Sequence, residues 1–248
     1  ECYDLSKLDT SEITNMDNLF KYSLFNDIHS TNGIGLHDGD ISSWDVSNVT
    51  SMKEMFYYSP NFNQDLNNWD VSNVTNMDGM FLCALEFNQP IYNWDVSNVT
   101  NMSRMFYRAR EFNQDLNNWN VSNVTNMEAM FYGTKNFNQP LKFDISNVTN
   151  ISRMFYGAES FNQSLDSWDV SNVTSMDFMF DKAEAFLDKY NSGKPLPSYT
   201  DKIKGWVNLN RDKMNMIDVK DKHGTEIDNF FSNFSKINNI NSLNIKYK

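Results

Sequence analysis

The sequence predicts an α/β repeat solenoid, with short parallel strands stacked on one side, short helices on the other, and a C-terminal capping segment. Three observations predict it. The motif Leu-x-x-Trp-Asp-Val-Ser-Asn-Val-Thr-Asn-Met-x-x-Met-Phe, clearest over residues 66–81, recurs along most of the chain. Its landmark Trp44, Trp69, Trp94 and Trp119 are spaced by 25, with Phe143 after 24 more residues and Trp168 after another 25. A degenerate copy at residues 8–20 brings the number of coils to seven. Self-similarity at such a period marks a stacked array, in which one unit buries its apolar surface only against its neighbours.

Each element follows from the motif. Leu66, Trp69 and Val71 match the hydrophobic scaffold of a leucine-rich repeat. Trp69 and Val71, two apart on a strand, share the inward face, and Asp70 points the other way. Val74 turns inward again, and Thr75 and Asn76 suit helix N-caps. Met77, Met80 and Phe81 fall at i, i+3 and i+4, the spacing of a short helix that buries one face. Ala84 and Phe87 continue the apolar side, and Asn88-Gln89 turns the chain back. Stacking then makes columns of Trp, Val, Met and Phe, including a second Phe column at Phe62, Phe87, Phe112, Phe137, Phe161 and Phe186. Seven such coils at ~4.8 Å span roughly 30–35 Å. Coil six lacks one residue between Leu141 and Asp144, which predicts a local kink.

The solenoid is expected over residues 1–186, with an insertion at 26–40 whose three glycines mark a surface loop. Residues 187–248 form the C-terminal cap or tail. Within it, 189–200 reads as a linker, Ile203 to Trp206 echoes Leu-x-x-Trp, and Thr225 caps a predicted helix near 225–237. An array end exposes an apolar cross-section, so capping is the expected role of this tail.

Composition excludes several classes. Residues 1–186 hold 25 acidic and 10 basic side chains (−15) and residues 187–248 hold 7 and 11 (+4), giving the net −11. An acidic body repels nucleic acid and anionic membranes. No run approaches the ~18 apolar residues of a membrane span. No leader is visible at the start, and the chain begins at Glu1 rather than Met. The two cysteines, Cys2 and Cys83, fall in coils one and three, too far apart for a disulfide, so both read as free thiols. His29, His37, Asp38 and Asp40 share the insertion. Imidazole and carboxylate together suit zinc, but in a loop of this kind the solvated reading is preferred, and no metal or other cofactor is expected. Three histidines, no phosphate-cradling loop and no distinguishable carboxylate pair leave no catalytic arrangement, so no enzyme activity is expected. The six Asn-Val-Thr triplets match the glycosylation pattern, but their periodicity is better explained by structure.

The repeated WDVSNVTNM…MF…A…FNQPL resembles the BspA-like leucine-rich repeats of bacterial surface proteins, in their 25-residue variety. The resemblance covers roughly residues 8–186 and rests on six nearly identical Ser-Asn-Val-Thr segments. It implies a right-handed solenoid and a non-enzymatic role in adhesion or partner binding. The tail lies outside it, and no lipobox precedes Cys2.

Two columns are candidates for contact with another protein. Asp45, Asp70, Asp95, Asn120, Asp144 and Asp169 line the outward strand face. Like charges stacked at ~5 Å repel by about a kcal/mol each, so each carboxylate is expected to accept the backbone N–H two residues on. The sharper reading is an anionic stripe that binds cations or a basic partner surface. Tyr57, Leu82, Tyr107, Tyr132 and Tyr156 form the second candidate, a ridge rotated off the buried face and suited to interfaces, with lateral packing between coils as the plain alternative. Asn48, Asn73, Asn98, Asn123, Asn147 and Asn172 are expected to satisfy backbone groups of adjacent coils. The function read from this is a protein-binding scaffold, a surface or secreted bacterial adhesion module. The alternative is a cytoplasmic inhibitor or immunity-type protein gripping a basic partner through the acidic face or the tail.

Overall fold

The computed structural model describes residues 5–23 and 39–191. The chain divides into two units, Glu1–Met214 and Asn215–Lys248, and every described residue lies in the first. Most of the insertion (26–38), the echo at Ile203 to Trp206 and the expected helix near 225–237 lie outside the described residues, as does Cys2.

Matching letters occupy matching places in adjoining coils. Single parallel bridges join Asn15 to Ser51, Ser51 to Asn76, Asn76 to Asn101, Asn101 to Asn126, Asn126 to Asn150 and Asn150 to Ser175. Each is flanked by two bonds of opposite sense. At the Ser51–Asn76 bridge, Thr75 N–H donates to Thr50 O at 2.9 Å and Met52 N–H to Asn76 O at 3.0 Å.

The coils themselves are neither strand nor helix, which corrects the expected α/β leucine-rich-repeat architecture of parallel sheet and outer helices. Among the described residues the helices are a 3₁₀ turn, Leu5–Lys7, and α1, Glu184–Asn191, and the bridges never extend into a strand. The reason lies in where the backbone N–H groups go. Over 66–74 the chain makes two tight turns, Trp69 N–H to Leu66 O at 3.0 Å and Val74 N–H to Val71 O at 2.9 Å, leaving no extended run. Over 77–84 the donors alternate. Met80, Leu82 and Ala84 donate back to Met77, Gly79 and Phe81, whereas Met77, Gly79, Phe81 and Cys83 donate across to Asn101, Ser103, Met105 and Tyr107 at 2.7–3.0 Å. An α-helix would send every N–H back to residue i−4, so nothing would remain to join the coils.

This alternation requires a left-handed residue at every fourth position. The φ angle is +61° at Gly79 and +57° at Cys83, and matching positions hold Glu54 (53°), Tyr58 (55°), Arg104 (56°) and Arg108 (56°). Each non-glycine residue there costs about 1–2 kcal/mol. The cross-coil bonds and the core offset it.

The core is a double column of phenylalanine. Phe56, Phe81, Phe106, Phe131, Phe155 and Phe180 each stack on the second Phe of the same coil at 3.9–4.2 Å between centroids. Neighbouring coils add near-parallel contacts such as Phe81–Phe106 at 5.7 Å and Phe87–Phe112 at 5.9 Å. The Val and Met columns beside them are fully buried in the inner coils. Trp69, Trp94, Trp119 and Trp168 are buried too, and their Nε1–H groups donate to the Leu or Ile carbonyl of the preceding coil at 2.8–3.2 Å. In coil six the missing residue removes the Leu-x-x-Trp turn, yet the cross-coil bonds of Asn147 and Thr149 continue through it. α1 follows the last coil, and its residues 189–191 belong to a helix rather than to the expected linker.

Trp94→Ala should lower stability by about 3–5 kcal/mol in denaturant unfolding, the range for large aromatic truncations. Trp94→Phe should cost much less, because Phe143 already fills that place and is buried in coil six. Gly133, at φ +62°, tests the alternation. Gly133→Val should cost roughly 1–3 kcal/mol and lower the thermal midpoint, and an unchanged midpoint would exclude a left-handed residue there.

Candidate partner-binding faces

The motif builds one polar face from four adjacent columns. All five aspartates of the first column and Asn120 are exposed. Each side chain accepts the N–H of the serine two residues on: Ser47 to Asp45 at 3.0 Å, Ser72 to Asp70 at 3.1 Å, Ser97 to Asp95 at 3.0 Å, Ser122 to Asn120 at 3.2 Å, Ser146 to Asp144 at 3.1 Å and Ser171 to Asp169 at 3.0 Å. Asn120 makes the same turn with a neutral carbonyl, so the turn needs the acceptor and not the charge. Bonds from the Ser97 hydroxyl and then its N–H hold the Asp95 carboxyl below the usual carboxylate range. Ser47 and Ser146 do the same for Asp45 and Asp144.

The next columns tie the coils together. Asn73 Nδ2 donates to Ser47 O at 2.7 Å, and Asn48, Asn98, Asn123, Asn147 and Asn172 repeat this bond to the preceding coil at 2.6–2.8 Å. Thr75 Oγ1 donates to Thr50 O at 3.1 Å, and Thr100, Thr125, Thr149 and Thr174 continue the ladder. Asn76 Oδ1 accepts Asp78 N–H at 3.0 Å, a cap-like bond with no helix behind it. The threonine ladder was legible only as the invariant fourth letter of Ser-Asn-Val-Thr, which sequence reasoning assigned to helix capping.

The second candidate column is placed differently. Tyr57, Leu82 and Tyr107 are buried, and Tyr132 and Tyr156 are half-buried. Tyr107 stacks on Tyr132 at 4.3 Å and Tyr132 on Tyr156 at 4.5 Å. Cations lie over its two ends, Lys21 Nζ at 4.3 Å from the Tyr57 ring and Lys182 Nζ at 5.2 Å from that of Tyr156. Such contacts contribute about 0.5–1 kcal/mol at exposed sites. Sequence reasoning missed these cations: Lys21 stands at the tyrosine position of the first coil, and Lys182 one place beyond that position in the last. Nearby, Asp78 is buried between Ser103 Oγ at 2.8 Å, Arg104 at 3.0 Å and Lys53 at 3.5 Å, so its charge is answered within the array. Cys83 is buried and in no disulfide among the described residues. Among the described residues no His, Cys, Asp and Glu set gathers as a metal site, and no helix is long and apolar enough to cross a membrane. His29, His37 and Asp38 lie outside those residues.

The lowered carboxyls give a pH signature. Their serine bonds stabilise the fold fully above the ordinary value of 3.8 and lose that contribution as pH falls through the lower folded value. Ser97→Ala should move the Asp95 titration upward toward the ordinary value, read by carboxyl NMR, and leave Asp144 in place. Equal movement of both would locate the cause elsewhere.

A family model described as "Mycoplasma protein of unknown function, DUF285" matches residues 22–142 and again residues 115–230, together spanning most of the 248. No curated protein and no solved structure matches the chain.

Proposed function

We propose that this chain, which belongs to the DUF285 family, is a rigid protein-binding scaffold of the BspA-like surface-repeat kind. The observation that carries the reading is the polar face of Asp, Ser, Asn and Thr columns, exposed yet held at each step by a bond to its own turn or to the preceding coil. Side chains fixed before contact lose little entropy on binding, and pre-organisation of this kind raises affinity without adding area. The proposed setting is a bacterial surface or the secreted fraction, with another protein as partner and adhesion as the task.

The acidic excess of the array, −15 over residues 1–186 (10 basic minus 25 acidic), favours one variant of this reading. A basic target, including an intracellular one, would be drawn to the aspartate column, and its affinity would fall with salt. The half-buried Tyr132 and Tyr156 instead favour a salt-tolerant contact.

The test uses the full chain with partners captured from host-cell surface proteins and, separately, from cytosol. Asp70→Asn with Asp95→Asn should weaken capture at low salt at least several-fold and keep the coil folded, since Asn120 shows that a carboxamide makes the same turn. Tyr132→Ser with Tyr156→Ser should weaken a salt-tolerant partner. Full capture by both double variants would remove the proposed face.

A further inference from the structure

The cross-coil bonds have a direction, and it leaves the two ends of the described stack unlike each other. Every coil presents a row of carbonyls to the coil before it and a row of N–H groups to the coil after it. At the start, the carbonyls of Asn15, Asp17, Leu19 and Lys21 correspond to those of Asn76, Asp78, Met80 and Leu82, which accept from the preceding coil. Among the described residues no donor reaches the first four, and the Thr14 N–H donates to nothing. At the other end, the N–H groups of Met176 and Phe178 correspond to those of Met127 and Ala129, which donate to Asn150 and Ser152. Among the described residues they donate to nothing, and the Thr174 carbonyl accepts nothing.

The apolar columns tell the same story. Val49, Val74, Val99, Val124 and Val148 are all 0% exposed. Ile13 at the start of this column and Val173 at its end are half-exposed, as are Val170 and Met176 beside Val173. Leu8 and Leu19, 50% and 46% exposed, lie in the first coil as well. The opening at the far end is confined to one corner, because Trp168, Met179 and Phe180 there are covered.

We infer that two copies of this chain associate head to tail, the 170–178 corner of one seating on the first coil of the next. The occupant is a second copy because its two ends complete the bond pattern already repeated between coils. Thr14 N–H would donate to Thr174 O, Met176 N–H to Asn15 O and Phe178 N–H to Asp17 O, with Ile13 closing over Val173. The junction is weaker than an internal one for a stated reason. Leu8 and Glu12 stand where Trp44 and Asn48 stand in the next coil, so the first coil lacks the two side-chain donors that reach backwards. The contact is therefore reversible. Being heterologous, it leaves a free end on every linear assembly.

The test is sedimentation velocity of the 248-residue chain over a concentration series, from micromolar toward the millimolar range of weak contacts. The expected result is a mass that grows from 29.0 kDa past the dimer as concentration rises. Ile13→Arg and Val173→Arg should each be monomeric alone. Mixed in equal amounts they should form a 1:1 dimer and stop there, since each retains one good end. Tryptophan fluorescence and the thermal midpoint report folding, and the milder pair Ile13→Ser and Met176→Ser repeats the test where arginine unfolds a coil. A wild-type monomer throughout, as when residues after 191 fill the corner, overturns the proposal. So do variants that associate like wild type, or a mixture that stays monomeric.

Discussion

Everything in the array depends on how the backbone N–H groups after each Asn-Met are shared. Half turn back to close three-residue turns within the coil, and the alternate half reach across to the next. Neither set alone would do. With every donor turned inward the segment would be a helix whose neighbours touch only by side chains. With every donor turned outward the segment would run as an extended strand, and the tight turns that bend it within the coil would be lost. The compromise requires left-handed residues at regular places, and glycine fills only some of them. The fold accepts strain at Glu54, Arg104 and Arg153 because each cross-coil bond is repeated by its neighbours and held over a stacked phenylalanine core.

That sharing also explains the columns. Once successive coils are locked at one bridging residue, each side chain meets its own equivalent from the neighbouring copy. Phenylalanine meets phenylalanine in offset stacks, the favoured aromatic arrangement, and the tryptophan N–H finds the same carbonyl each time. Polar columns solve the reverse problem. Tight turns leave carbonyls pointing along the stack, and buried or half-buried backbone acceptors need donors. Asn and Thr supply them at every step, so the most regular letters of the motif are those that join coil to coil.

The period, the register, the burial of Trp, Val, Met and Phe, and the turn made by each outward Asp were all legible in the sequence, because each is a statement about equivalence between copies. The secondary structure was not. Met77, Met80 and Phe81 sit at i, i+3 and i+4 in a helix, but a chain of i to i−3 turns places the same three residues on one side. Apolar spacing reports which side chains are buried and is silent on which carbonyl an N–H has chosen. The left-handed positions were hidden for a related reason. The series Glu54, Gly79, Arg104, Ala129, Arg153 and Phe178 has no common letter, so one glycine among six carried no visible signal. The faces were partly legible. The aspartate column stands exposed as expected, whereas the tyrosine series splits into buried and half-buried members.

A face built of identical steps raises a difficulty that the difference between its columns resolves. A partner that read only Asp, Ser, Asn and Thr would find the same pattern after every shift of one coil and would bind in several registers at once. A unique complex needs features that break the translation. Within the face there are two, Glu12 in place of the first asparagine and Asn120, which removes a charge midway along the column without disturbing its turn. Beside it lie others: Leu82 among the tyrosines, and the series Lys53, Asp78, Ser103, Glu128 and Ser152, in which charge changes at nearly every step. Regular positions hold the surface rigid and are tied up in doing so, since a side chain bonded to the next coil has fewer bonds left for a partner. Of the irregular positions, Asn120 is exposed and Lys53 and Glu128 are half-buried, whereas Leu82, Asp78, Ser103 and Ser152 are buried within the array. Under the proposed binding role, discrimination between partners would fall to the accessible members of that set, Asn120, Lys53 and Glu128, and the repeated columns would supply the stiffness.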